Sequence, residues 1–273
     1  MSQEAYSSSQ NCSNAKPCSQ SAPERSQAHG WTPSQFRSLN AKTLRAHHGD
    51  VAATSANEGQ RKHNVREYSL GEEIANSITH GIGALLAIAA IPILVVHAVR
   101  DGGGVFLFAA LVYTITMLLE YTMSTLYHAL AADKAKRVFK VLDHSCIYLL
   151  IAGTFTPFCL LTLAPYGGVY LFAFIWIVAV VGTAVEAFWV FRPRWLSALL
   201  YLLMGWSIAI FIPKLFDVLP APAFWLLVAG GVAYSIGCIF YVLKKIPYMH
   251  SIFHVWVLAG SVLQFLAIAL YVI

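Results

Sequence analysis

The chain has 273 residues, of which 58% are hydrophobic and 11% are charged, and its net charge is +5. This composition is too apolar for a water-soluble globular protein and indicates an all-α, polytopic membrane protein. The five cysteines form no CxxC pattern and imply no disulfide framework.

The N-terminal segment, residues 1–66, is rich in Ser, Gln, Asn and Ala and contains few aromatic residues. It has too little apolar surface to bury a core, so we predict a disordered polar tail followed by a membrane domain at 67–273. The segment lacks a charged stretch followed by an apolar run, so we do not expect a cleavable signal peptide.

Seven apolar segments follow the tail, each long enough to cross about 30 Å of hydrocarbon. They predict helices at 74–97, 105–130, 141–163, 168–191, 195–214, 221–243 and 251–272. Pro165, Gly167 and Gly168 predict a turn between the third and fourth helices, which therefore do not merge into one.

Lysine and arginine residues are concentrated in every second connection between the predicted helices. These cations are Arg61, Lys62, Arg66, Lys134, Lys136, Arg137, Lys140, Arg192, Arg194, Lys244 and Lys245. The alternate connections contain only Arg100 and Lys214. The positive-inside rule then predicts a cytoplasmic N-terminus and an extracytoplasmic C-terminus, which requires an odd number of spans. No basic patch with interleaved aromatic residues indicates nucleic-acid binding.

Three histidines are predicted at one depth. His250 and His254 lie four residues apart at the start of the last helix, so they share one helix face and suit two ligands of one metal ion. His128 lies at the predicted cytoplasmic end of the second helix. Three histidines with an open fourth position are typical of a catalytic zinc site.

Asp143 and Ser124 are predicted in the same layer as the histidines. A catalytic zinc ion activates water, so Asp143 is placed to accept a proton and Ser124 to orient the water or a carbonyl oxygen. Each residue also has a simpler interpretation. Asp143 suits a helix start, Ser124 suits helix packing, and His128 alone suits a membrane interface. The common depth of all five favours a site.

Further polar residues lie in the first, second and fourth predicted helices. Glu73, Asn76 and His80 begin the first helix, and their spacing favours a capped interfacial helix start over accessory residues of the site. Glu120 is a candidate for the same cavity as the site, whereas the sequence suggests no partner for Glu186. Buried carboxylates are costly unless they are neutral or paired.

Four short motifs resemble the signatures of the progestin and adipoQ receptor superfamily. They are Glu73-x-x-Asn76-x-x-x-His80, Ser124-x-x-x-His128, Leu142-Asp143 and His250-x-x-x-His254. Two longer segments, 124–130 and 193–206, are similar to the bacterial branch of that superfamily, the hemolysin III family. The resemblance covers about residues 68–273 and leaves the tail unexplained.

The resemblance implies a seven-helix fold in a bacterial cell membrane, with zinc bound near the cytoplasmic face. Carried over to this sequence, the zinc ligands are His128, His250 and His254, with Asp143 and Ser124 beside the metal. Eukaryotic relatives are associated with ceramide-type amide hydrolysis, and bacterial relatives with haemolysis or membrane-lipid homeostasis. Glu120 is not part of the family pattern.

Three functions agree with these features. The first is a zinc-dependent hydrolase of acyl amide or ester lipids, or a regulator of lipid homeostasis, with membrane lipids as partners. The second is a membrane-permeabilising haemolysin, and the third is a receptor or ion carrier. We favour the first, because zinc at head-group depth adjoins the acyl bonds of lipids. Seven hydrophobic helices, by contrast, suit stable residence in the membrane of the producing cell.

Overall fold

The structure is a computed structural model that describes residues 68–189, 193–243 and 246–273, except for the side chain of Asp101. The predicted tail at 1–66 lies outside the described residues. So do six of the cations used to predict the orientation, namely Arg61, Lys62, Arg66, Arg192, Lys244 and Lys245.

Seven helices in the described part of the chain are long and apolar enough to span a membrane. They are α1 (Leu70–Arg100), α2 (Gly104–Ala129), α3 (Asp133–Thr162), α4 (Gly168–Phe188), α5 (Arg194–Val218), α6 (Ala221–Val242) and α7 (Met249–Tyr271). The predicted all-α fold with seven membrane spans is therefore confirmed.

The beginnings of α1 and α7 are held together by a capping residue. Ser69 is the N-cap of α1 and forms a capping box with Glu72, which satisfies backbone N–H groups that have no partner within the helix. The other oxygen of Glu72 accepts a hydrogen bond from the backbone N–H of Tyr248 at 2.9 Å. Tyr248 is the N-cap of α7 and has a φ of 62°. Glu72 therefore fixes where the last helix begins relative to the first.

Helix α3 begins at Asp133, eight residues before the start predicted at 141. Its first two turns contain the cations that the sequence interpretation placed in a loop, and Lys136 and Lys140 are buried. The charged turns precede the apolar run, so hydrophobicity alone does not reveal them. The link between α2 and α3 is consequently only three residues long, 130–132.

The turn predicted between α3 and α4 is present. A short π-helical segment, Phe158–Thr162, ends α3, and a 3-10 turn, Ala164–Tyr166, follows it. Gly167 then has a φ of 86°, a conformation that glycine adopts without steric cost.

Helices α1, α2 and α7 pack together and bring their polar ends to one end of the bundle. Close approach of α1 and α2 depends on Gly83, where an added Cβ atom would lie 2.5 Å from the Tyr121 ring. Helix α2 is the second span, whereas α1 and α7 are the first and the seventh, so α2 runs antiparallel to the other two. Its C-terminal turn therefore meets the N-terminal turns of α1 and α7, and this end of the bundle contains the candidate site.

The predicted orientation can be tested with reporters of location. We expect a reporter fused after Ile273 to be extracytoplasmic and a reporter inserted in the 130–132 link to be cytoplasmic, because cations are concentrated on that side. The measurement is alkaline phosphatase and fluorescent-protein activity of each fusion. Two reporters on the same side of the membrane would contradict seven spans with this orientation.

Candidate metal centre

His128, His250 and His254 form a buried group at the end of the helix bundle. His128 belongs to the last turn of α2, and the other two belong to the first two turns of α7. One nitrogen from each of the three rings can be chosen so that all three atoms lie within 4.8 Å of one another. The fold thus brings together the three histidines that the sequence placed at one depth.

Hydrogen bonds to Nδ1 orient two of these imidazole rings. The Nδ1–H of His128 donates to Glu73 Oε2 at 2.7 Å, and the Nδ1–H of His254 donates to the backbone oxygen of Asn76 at 3.2 Å. A neutral imidazole that donates through Nδ1 keeps the lone pair on Nε2. In their neutral form, both rings therefore have Nε2 available as a metal ligand.

The spacing of the α7 histidines suits zinc. The Nε2 atoms of His250 and His254 are 3.2 Å apart. Two nitrogens bound to zinc at 2.0–2.1 Å with tetrahedral angles are separated by about 3.3 Å. Three imidazole nitrogens are also a donor set typical of zinc. The residues present therefore fit the metal ion that the sequence predicted.

A carboxylate contacts the Nδ1 atom of His128, and a lysine pairs with that carboxylate. Glu73 Oε1 forms an ion pair of 2.7 Å with Lys136 Nζ, while Glu73 Oε2 holds the histidine. Lys136 is only 1% exposed and also donates to the backbone oxygen of Tyr127 at 3.0 Å. A carboxylate that holds a ligating histidine fixes its orientation and makes it more basic. Sequence reasoning missed Lys136, which it counted as a loop cation.

Asn76 and His80 contact the α7 histidines from α1. Asn76 Oδ1 accepts a hydrogen bond of 2.5 Å from Ser251, between the two histidines of α7. The His80 ring stacks on the His254 ring with centroids 3.5 Å apart, but His80 is not one of the three clustered donors. All three polar residues that begin α1, Glu73 included, therefore adjoin the centre, although their spacing alone favoured a simple helix start.

Tyr68 also contacts the histidines of the centre. Its ring stacks on His250 with centroids 4.8 Å apart, and its hydroxyl accepts a hydrogen bond of 2.6 Å from Arg194. Tyr68 belongs to none of the motifs found in the sequence, and Arg194, although it lies in the 193–206 segment, was interpreted only as a loop cation. The sequence contains no spacing signal for this contact, because Tyr68 and Arg194 are 126 residues apart in the chain and meet only in the folded protein.

Asp143 lies on α3 next to Ser124, which precedes His128 by one turn of α2. Both residues are buried. The Asp143 carboxyl group does not join the close group of three histidines. Asp143 is therefore not one of the clustered donors, and Ser124 places it one turn of α2 away from His128.

The two deeper carboxyl groups have different surroundings. Glu120 interacts electrostatically with Asp143 and lines a cavity in the bundle. Glu186 is buried and accepts a hydrogen bond of 3.0 Å from His144 Nδ1. The structure thereby identifies a partner for Glu186 on α3, which the sequence did not.

An apolar cavity adjoins the metal centre between α2, α3, α5, α6 and α7. Phe253 belongs to its lining, and its ring contacts the His254 ring with centroids 5.7 Å apart. On α6 the lining extends from Phe224 to Cys238. Fourteen helical residues correspond to about 21 Å, which is most of the hydrocarbon thickness of a bilayer.

Together these features define an all-helical, multi-pass membrane protein with a buried three-histidine cluster at one end and an apolar cavity beside it. The family model described as "Haemolysin-III related" matches residues 68–265. The chain therefore belongs to the hemolysin III family, within the progestin and adipoQ receptor superfamily.

Individual relatives agree with this assignment. The chain is 46% identical over 202 residues to "Hemolysin-3" of Bacillus cereus, covering 74% of this chain and 92% of that protein. It is 42% identical over 204 residues to "Hemolysin-3 homolog" of Bacillus subtilis (strain 168), covering 75% and 96%. "Monocyte to macrophage differentiation factor" of Homo sapiens is 26% identical over 204 residues, with 72% and 83% covered.

Proposed function

We propose that the protein is a zinc-dependent hydrolase of acyl amide or ester lipids, with its metal centre at the cytoplasmic face of a bacterial cell membrane. The observation that carries this proposal is the buried group of three histidines within 4.8 Å, next to an apolar cavity. Three protein ligands leave a coordination position for a reacting molecule, which is the arrangement of catalytic zinc.

The residues around the centre take different roles in this proposal. His128, His250 and His254 hold zinc, which supplies Lewis-acid activation of water and of the lipid carbonyl group. Asp143 accepts a proton from the attacking water and returns it to the leaving group. Ser124, which lies beside Asp143, orients the water or the lipid carbonyl oxygen.

The cavity supports lipids as the substrate class. Its lining consists largely of aliphatic and aromatic side chains, and ligand pockets with such linings bury apolar ligands. Phe253 lies both in this lining and against the histidine cluster. An acyl chain in the cavity would therefore place its carbonyl end beside the metal centre.

The experiment that tests the proposal measures three properties of one purified preparation: zinc content, cleavage of acyl amides and esters, and leakage of liposomes. We expect about one zinc ion per chain. We also expect cleavage that stops on chelation and returns with zinc, and a changed lipid profile in cells that lack the protein.

The alternative function is permeabilisation of membranes, which is favoured by the name of the Bacillus cereus relative, "Hemolysin-3". It predicts leakage that chelation does not change and no lipid turnover. Zinc-independent leakage without turnover of any acyl amide or ester would therefore replace the hydrolase proposal with this one.

The contacts of Glu73 with His128 and Lys136 yield a further prediction. We expect Glu73→Gln and Lys136→Met to weaken zinc affinity about 10–100-fold, because they remove the carboxylate that orients His128 or its balancing cation. The measurement is competition with a zinc-binding dye. Lys134→Met is the matched control, since Lys134 is an exposed lysine on the same helix, two residues earlier. Equal affinities in all four proteins would show that Glu73 does not support the metal ligand.

A further inference from the structure

Two buried oxygen atoms in the cavity have no hydrogen-bond partner within the described residues. They are Glu120 Oε2 and Gln264 Oε1. Both side chains line the cavity, and they are only 2% and 4% exposed. Buried polar atoms are almost always hydrogen-bonded, so two such atoms in one cavity require an explanation.

The two oxygens lie at similar depths in the bundle. Glu120 precedes His128 by eight residues of α2, and Gln264 follows His254 by ten residues of α7. At 1.5 Å per residue they lie about 12 Å and about 15 Å from the histidine layer. These two residues, here called the polar band, are open polar positions in a cavity whose lining is otherwise mainly apolar.

The amide of Gln264 presents an acceptor to the cavity. Its Nε2 donates to the backbone oxygen of Leu227 at 3.0 Å, so the amide oxygen is directed elsewhere. Other polar side chains of the lining have their partners. Ser235 Oγ, for example, donates to the Gly231 oxygen and accepts from Trp206. Among the buried side-chain nitrogen and oxygen atoms of the described lining, only those of the polar band therefore have no hydrogen-bond partner.

Glu120 forms no ion pair with any described residue, and an unpaired carboxylate at this depth would be costly. A neutral carboxyl group both donates and accepts. An ammonium group would have to leave water for the hydrocarbon core, at a cost far above that of a hydroxyl group. A hydroxyl group both accepts and donates, so it suits a neutral Glu120 as donor and the Gln264 oxygen as acceptor.

We propose that Glu120 and Gln264 form a subsite for a hydroxyl group in the middle of an acyl chain, so that the cavity selects lipids with hydroxylated chains. The inference rests on the proposed function, because it requires an acyl chain in the cavity. Carbon–carbon bonds of about 1.5 Å advance an extended chain by roughly 1.3 Å each. A depth of about 12–15 Å then corresponds to roughly the tenth to twelfth carbon from the carbonyl group.

The test measures binding of three radiolabelled amides to the purified protein: stearamide, 2-hydroxystearamide and 12-hydroxystearamide. Two satisfied hydrogen bonds should make 12-hydroxystearamide bind roughly ten-fold more tightly than the other two. Glu120→Gln keeps a group that donates and accepts, so this preference should remain. Glu120→Leu and Gln264→Leu should abolish the preference, so that all three amides bind with about equal affinity. Thr114→Val removes a buried hydroxyl of α2 outside the cavity and serves as the control.

The outcomes separate the subsite from the hydrolase. Equal binding of all three amides by the wild type would overturn the subsite and leave zinc-dependent cleavage untouched. Loss of the preference in Glu120→Gln as well as in Glu120→Leu would show that charge is recognised, and would overturn a hydroxyl ligand. If none of the amides binds, the cavity does not take an acyl chain. Both the subsite and the proposed substrate class would then be overturned.

Discussion

Purified His250→Ala protein should contain less than about a tenth of a zinc ion per chain, whereas the wild type should contain about one. The substitution removes one of only three protein ligands, and the two that remain cannot hold zinc through purification. The same loss is expected for His128→Ala and His254→Ala. Metal analysis by mass spectrometry, together with size-exclusion chromatography to verify folding, provides the measurement.

His97→Ala is the matched control for these substitutions. His97 lies on α1 but outside the clustered group, so its replacement should leave the zinc content unchanged. Full zinc occupancy in His250→Ala would show that the ion is held elsewhere. Loss of zinc from His97→Ala would show that the loss follows from general damage to the protein.

Asp143→Asn should retain zinc and lose lipid turnover by about a hundred-fold or more. Asparagine keeps the size of the side chain and one oxygen for hydrogen bonding, but it cannot accept the proton of the attacking water. Zinc should remain because Asp143 is not among the close donors. The measurement is the rate of acyl amide or ester cleavage at saturating substrate, with zinc content determined on the same preparation.

Asp217→Asn is the control for this prediction, because Asp217 is an exposed carboxylate of α5. Its turnover should equal that of the wild type. If Asp143→Asn loses zinc together with activity, then Asp143 is a structural part of the metal centre. If it retains full activity, another group accepts the proton.

The seven spans could be predicted because each one requires a long apolar segment, and hydrophobicity depends only on local composition. The common depth of His128, His250 and His254 was also predictable, since lysine and arginine residues mark the helix ends. Helix ends and loop charges therefore contained enough information to group residues that are distant in the chain.

The support around the histidines could not be predicted in the same way. Lys136 has the same residue type as the cations of a cytoplasmic loop, and only the early start of α3 places it beside Glu73. Tyr68 and Arg194 reach the centre through helix packing, which no local pattern records. The residues that contact these histidines are placed by tertiary contacts, whereas the histidines themselves lie at recognisable helix ends.

The ligands of the proposed centre come from two helices that are far apart in the order of synthesis. His250 is translated 122 residues after His128. At 5–20 residues per second, roughly 6–24 s pass before the second ligand emerges from the ribosome. During this interval His128 would already rest against Glu73, held ready by a contact between α1 and α2. Metal capture by all three histidines would therefore have to wait for α7, the last of the seven spans to be made.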